Sequence, residues 1–122
     1  MHQLGRLEAT VMERVWTGGR PVLVREVLED LRSDRKIAYT TVMTVMENLY
    51  RKGFLTRERD GRAYRYTAAR TRAEHTAGVM EEVLASAGDR SATLLHFVEH
   101  ISADDLAELR AVLGEADEEE TS

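Results

Sequence analysis

The chain of 122 residues contains no cysteine, which removes disulfides, thiolate metal sites and thiol redox sensing from consideration. No apolar run approaches the roughly 18 residues of a membrane-spanning helix. Neither an Arg-rich amphipathic leader nor a secretory signal pattern is read, and a cytoplasmic location is the expectation. Lysine is scarce, 2 against 15 arginines, a bias that GC-rich coding explains as readily as selection for phosphate contacts. Catalytic signatures are missing as well: there is no Gly-rich phosphate loop, HExxH pattern or nucleophile elbow, and no serine has a histidine partner nearby in sequence. The chain is therefore not expected to be an enzyme or to need a cofactor.

What is present is enough to fold. A hydrophobic content of 43% is typical of a globular chain of one small domain, or of one domain with an oligomerisation arm. The net charge of −5 is unevenly distributed, with +5 on residues 1–70 and −10 on residues 71–122. A basic front half attracts a polyanion while an acidic rear half is held away from it, a pattern that points to nucleic acid. The acidic cluster from Glu115 to Glu120 reads as a solubilising tail.

The front half patterns as three helices and a hairpin. Leu4, Leu7, Val11, Val15 and Trp16 mark the apolar side of a first helix, which Gly18, Gly19 and Pro21 end. Val24, Val27, Leu28 and Leu31 mark a second, although Leu23 stands where a polar N-cap is usual. Val22 and Leu23 are placed to add a short strand to the hairpin. In AYTTVMTVMENLYRKG, Val42, Val45, Met46 and Leu49 form the core stripe of a third helix, and Arg32 to Lys36 form the charged connection to it. The strands FLTRER and RAYRYTA follow, joined at Asp60-Gly61. Leu55, Tyr64 and Tyr66 are expected to share the face that packs on the helices, and Trp16 is expected in the core.

Three helices followed by a basic hairpin make a winged helix-turn-helix, whose third helix enters the major groove of DNA. The free side of that helix carries Tyr39, Thr40, Thr41, Met43 and Thr44, the base-edge candidates. Hydroxyls there reach bases, and their methyl groups reach thymine. Arg51, Lys52, Arg59, Arg62 and Arg65 are the phosphate and wing candidates.

Residues 71–122 pattern as helices. Ala73, Ala77, Met80, Leu84 and Ala87 repeat at the spacing of a helix–helix seam, with Gly88 ending the first helix. Leu94, Leu95, Phe97, Val98 and Ile101 mark a second, and Ser102 caps a third with Leu106, Leu109, Val112 and Leu113. Three short helices bury too little of this surface alone, so a two-fold dimer is expected. Its interface candidates are Met80, Leu84, Leu94, Leu95, Phe97, Val98, Ile101, Leu106, Leu109 and Leu113. The fold expected is mostly α with a small β-hairpin wing: a winged-helix DNA-binding domain at 1–70 and a helical dimerisation region with an acidic tail at 71–122.

The segments LGRLEATVMERVW, PVLVREVLEDL, AYTTVMTVMENLYRKGFLTRERDGRAYRYTA and LLHFVEHISADDLAELRAVL resemble, in order, the helices and wing of the penicillinase and methicillin-resistance repressor family, BlaI/MecI. The TTV, RKG and YRYT block carries most of the specificity. The resemblance implies a homodimeric repressor that binds palindromic operators upstream of resistance genes and blocks their promoters. It maps recognition-helix positions onto Tyr39, Thr40, Thr41, Met43 and Thr44, and the basic wing onto Arg59 and Arg62. It also implies a membrane-bound sensor protease as partner, cutting the dimer arm at an asparagine–phenylalanine bond. His96-Phe97 stands at that place, so the first residue departs from the family pattern. Thiolate copper sensing, known from the same superfamily, is excluded by the lack of cysteine.

Two further classes stay open at the sequence level: a winged helix used as a protein-interaction module, and a metal- or ligand-controlled regulator of the same fold. His96 and His100 have metal-ligand spacing with Glu99 nearby. They flank the apolar patch and read as surface or interface histidines, so no metal centre is expected.

Overall fold

A computed structural model describes residues 4–121, with side chains described through Glu115. The acidic tail beyond Glu115 thus lies outside the described side chains. The elements are α1 (Arg6–Gly18), α2 (Val24–Arg32), α3 (Tyr39–Arg51), β1 (Leu55–Asp60), β2 (Ala63–Ala68), α4 (Arg72–Ala85), α5 (Arg90–His100) and α6 (Ala103–Thr121). They fall into two compact units, residues 1–79 and 80–122.

In the first unit the apolar stripes of α1, α2 and α3 converge on one core. Val11, Met12, Val15, Val27, Leu31, Val42, Met46 and Leu49 are buried, joined from the hairpin by Leu55 and Tyr66. Trp16 and Val45 pack at the edge of this cluster, and the Trp16 indole N–H donates to the Arg70 carbonyl at 2.9 Å. α1 ends at Gly19, which adopts the left-handed conformation (φ 64°) that glycine reaches without steric cost.

Where a capping side chain is missing, a glutamate three residues on still makes the other half of a capping box by accepting the N-cap amide. Glu26 accepts the Leu23 amide at 2.8 Å, which explains how α2 starts after a leucine, and Glu8 accepts the Gly5 amide at 2.8 Å. α4 opens with a reciprocal capping box between Thr71 and Glu74. The bond from the Thr71 amide, helped by one from its hydroxyl to the carboxylate, holds the Glu74 carboxyl below its ordinary value.

β1 and β2 pair antiparallel, with Leu55 opposite Ala68, Arg57 opposite Tyr66 and Arg59 opposite Tyr64. A bridge between Val22 and Tyr66 adds the expected third strand fragment. Because Asp60 pairs with Ala63, the two-residue turn is Gly61-Arg62, one residue later than the Asp60-Gly61 reading. Gly61 takes φ 65° at the first turn position, as mirror-image hairpin turns require, and Arg62 is carried to the tip. Tyr64 also departs from expectation: Tyr66 is buried, but Tyr64, nearer the tip of the strand, is exposed and meets the Arg57 guanidinium instead of the core.

In the second unit, Asp89 caps α5 by accepting the Ala92 amide, and the Ser102 hydroxyl caps α6 by accepting the Asp105 amide. α4 stops at Ala85, so Ala87 lies outside it and Gly88 is not its terminator. The Ser86 hydroxyl donates to the Val83 carbonyl, a local bond that competes with helix continuation. Met80, Leu94, Leu95, Phe97, Val98, Leu109, Val112 and Leu113 are exposed, and Leu84, Ile101 and Leu106 are half-buried. No helix among the described residues is long and apolar enough to cross a membrane.

Candidate nucleic-acid interface

α3 has one dry face and one wet face. Val42, Met46 and Leu49 are fully buried, which fixes the rotation of the helix. By helical periodicity Thr40, Thr44 and Arg51 then centre the outward side. Thr41 and Asn48 form one flank, and Tyr39, Met43 and Tyr50 form the other. All eight are exposed, Tyr39 at 47% and Met43 at 43%. An exposed methionine and tyrosine beside three hydroxyls make a surface that offers shape, methyl contact and hydrogen bonds together.

The N-terminal end of α3 has a property not apparent from its own residues. Its N-cap is Ala38, which makes no side-chain cap bond, so the side chain there satisfies none of the first-turn amides. Arg6, Arg35 and Lys36 line a shallow depression with Thr41 at this end. First-turn amides without a side-chain cap and three cations together suit a phosphate, although the Thr41 amide already donates to the Ala38 carbonyl at 3.1 Å. Sequence reading passed over these residues, treating Arg35 and Lys36 as connection. The usable signal was a basic pair directly before a helix that lacks a capping side chain.

The basic candidates differ in what they already hold. Arg62 stands at the hairpin tip, and Arg59 donates from Nε to the Gly61 carbonyl at 3.2 Å. Neither makes an ion pair among the described residues. Arg51 pairs with Glu47 at 3.6 Å but is 71% exposed, and so weak a surface pair yields readily to a phosphate. Arg65 is drawn to Asp60 at 2.6 Å and towards Glu26 at 3.9 Å. Lys52 departs from the expectation of a phosphate contact. Its ammonium donates to both carboxylate oxygens of Glu8, at 2.9 and 2.8 Å, and so ties the end of α3 back to α1. Burial raises the Glu8 pKa, but the bonds from Lys52 and the Gly5 amide outweigh it and leave the carboxyl below its ordinary value.

Arg57, absent from the candidate set, joins the wing to α3. Its guanidinium lies 3.9 Å from the Tyr50 ring centre and 4.1 Å from that of Tyr64, and it pairs with Glu47. The Tyr66 hydroxyl raises the pKa of this group, and Glu47 adds to that against the opposing effect of desolvation. An arginine stacked between a helix tyrosine and a strand tyrosine fixes the angle of the hairpin to the helix. Its register opposite Tyr66, on the inward side of an alternating strand, was the available signal.

The arm residues present apolar side chains to solvent. Half or more of Phe97, Leu95 and Met80 is open in the single chain. His96 and Phe97 both lie inside α5, so the bond between them is helical.

Comparison with known proteins agrees with this geometry. The family model described as penicillinase repressor matches residues 4–115. The chain is 45% identical over 116 residues to the transcriptional regulator BlaI of Mycobacterium tuberculosis, covering 93% of this chain and 84% of that protein. It is 23% identical to the methicillin resistance regulatory protein MecI of Mammaliicoccus sciuri, over 92% of this chain and 94% of that one. Among solved structures, the DNA-binding domain of the repressor BlaI matches 59% of this chain and 87% of its own, with a TM-score of 0.53 and 25% identity. The monomeric form of Bacillus licheniformis BlaI in complex with the blaP half-operator matches 60% of this chain and 88% of its own, with a TM-score of 0.50 and 25% identity.

Proposed function

The chain belongs to the penicillinase repressor family, and from that premise and the geometry of α3 we infer that it is a DNA-binding transcriptional repressor. The observation that carries the reading is the outward side of α3: three threonine hydroxyls exposed in a row, with the basic depression at one end and the Arg62 tip of the wing alongside. α3 lies in the major groove with Thr40, Thr41 and Thr44 at base edges, and Tyr39 and Met43 add shape. Arg51, Arg59 and Arg62 hold phosphates, joined by Arg6, Arg35 and Lys36 at the helix start. Arg65 reaches a phosphate once its surface pairs open.

The working unit is a homodimer. The exposed apolar residues of α5 and α6, with Met80 and Leu84 of α4, form a surface that a second copy covers most economically. A two-fold protein reads a two-fold site, with half-sites separated by whole helical turns of about 10 base pairs each. Repression is steric: a dimer across a promoter keeps polymerase away. The protein acts in the cytoplasm, where its operator is. Control of β-lactam resistance genes and a membrane-bound sensor protease fit the family, whereas His96-Phe97, at the place of the cleaved bond, departs from the family's asparagine–phenylalanine pair at its first residue. Such a protease must first unwind the α5 segment that holds the bond.

The test is to incubate the purified chain with fragmented intergenic DNA of its own genome and to sequence what it retains. Recovery of a palindromic motif upstream of particular genes is the expected result. Retention without sequence preference would overturn the reading and leave the winged helix as a protein-interaction module.

A further inference from the structure

We propose that the outward side of α5 is a binding site for a divalent transition-metal ion of the zinc or nickel class, held by His96, Glu99 and His100. The proposal stands whether or not the chain binds DNA. The three residues occupy positions i, i+3 and i+4 of one helix, which stacks them on one side across a single turn. Their ligand atoms already lie within 4.8 Å of one another. All three are exposed, so an ion reaches them from solvent. Two imidazoles and a carboxylate form a donor set that zinc accepts with a further position open, and imidazole suits nickel as well.

A second observation concerns tautomer. Nδ1 of His100 lies 2.8 Å from the His96 carbonyl oxygen, so it carries the proton and donates. Nε2 of His100 is thereby left as the free lone pair, facing away from the backbone. Metal-bound histidines are oriented in this way, with the other ring nitrogen tied to a carbonyl or carboxylate.

The position of the site sets its effect. By helical periodicity Leu94 and Val98 lie on the opposite side of α5 from the two histidines, with Phe97 beside His100 and Leu95 beside Glu99, so the histidines flank the apolar surface. An ion there leaves Leu94 and Val98 free for a second copy. It also bridges the last turn of α5 across the His96-Phe97 bond. Because only the helical form brings the three ligands together, binding stabilises the helix locally. Occupancy is therefore a means of holding closed the segment that proteolysis would need extended.

The experiment is a calorimetric titration of the untagged full-length chain with Zn²⁺, and separately with Ni²⁺, against His96→Ala, His100→Ala, Glu99→Gln and the double histidine variant. Far-ultraviolet circular dichroism checks that each variant is folded. One ion per chain is expected for the wild type. Loss of either histidine should weaken binding by at least about tenfold, since changing even an outer partner of a metal ligand costs that much. Glu99→Gln should weaken it measurably. In parallel, hydrogen exchange of the amides of residues 96–101 should slow on adding Zn²⁺ to the wild type and not in the double variant. Equal affinity in wild type and double variant, absence of binding at millimolar ion, or unchanged exchange in the wild type would each overturn the proposal.

Discussion

Substitutions on the two sides of α3 should separate recognition from stability. Thr40 and Thr44 are exposed and one turn apart, and neither hydroxyl makes a hydrogen bond within the protein among the described residues. Replacing both by alanine removes no core contact and slightly favours the helix, so thermal stability should stay within about 0.5 kcal/mol of wild type. Each hydroxyl contact to a base is worth about 1–3 kcal/mol of discrimination. The pair should therefore lose about 2–6 kcal/mol of preference for the operator over unrelated DNA, provided the two act independently. Affinity for unrelated DNA, which rests on phosphates, should be unchanged. Leu49→Ala is the converse. Leu49 is fully buried, so its truncation should cost about 2–5 kcal/mol of folding free energy and lower the melting temperature by about 10 °C or more. Below that transition the folded fraction should still discriminate. Fluorescence anisotropy on operator and scrambled duplexes, beside thermal melts by circular dichroism, measures both quantities. A Thr40→Ala, Thr44→Ala variant that is stable and still discriminates as the wild type does would refute the assignment of this side of α3 as the reader.

Three other outcomes are expected. Lys36→Ala should weaken binding to all duplexes alike and reduce the slope of log affinity against log salt by about 1, as measured by titration at several salt concentrations. Phe97→Asp, on the exposed apolar side of α5, should shift sedimentation to the monomer and lower affinity for a two-half-site operator by about a hundredfold or more through lost avidity, with single half-site binding preserved. The Glu8 carboxyl has its pKa held below the ordinary 4.5, so its stabilising contribution is complete above that value and is lost as pH falls through the lower folded value. Glu8→Gln should therefore melt earlier than wild type at pH 7, with the gap closing in acid.

Much of this molecule is legible in the sequence because its helices are amphipathic and its turns carry glycine. The stripe at Val42, Met46 and Leu49 sets both the existence and the rotation of α3, and so exposes the threonines. The exposed arm residues follow from apolar spacing in a segment too short to bury them. What escaped has a common physical origin in contacts between elements distant in sequence. Lys52 looks like any wing cation until α1 brings Glu8 to it, 44 residues earlier. Arg57 gains its place only when Tyr50 of α3 and Tyr64 of β2 close on either side. The hairpin turn moved by one residue because strand pairing, through Asp60 and Ala63, decides the turn position. Alternation alone puts Tyr64 in the core, but it gives only the side of a strand, and there Arg57 rather than the apolar cluster meets the ring.

The central claim is tested most directly by the affinity of the full-length chain for its best genomic site and for a scrambled duplex of the same composition, across a series of salt concentrations. The account predicts a two-fold symmetric site bound by two chains. The true site should be at least about a thousandfold tighter than the scrambled one, and both affinities should fall steeply as salt rises. Equal affinity for the two duplexes at every salt concentration would contradict it.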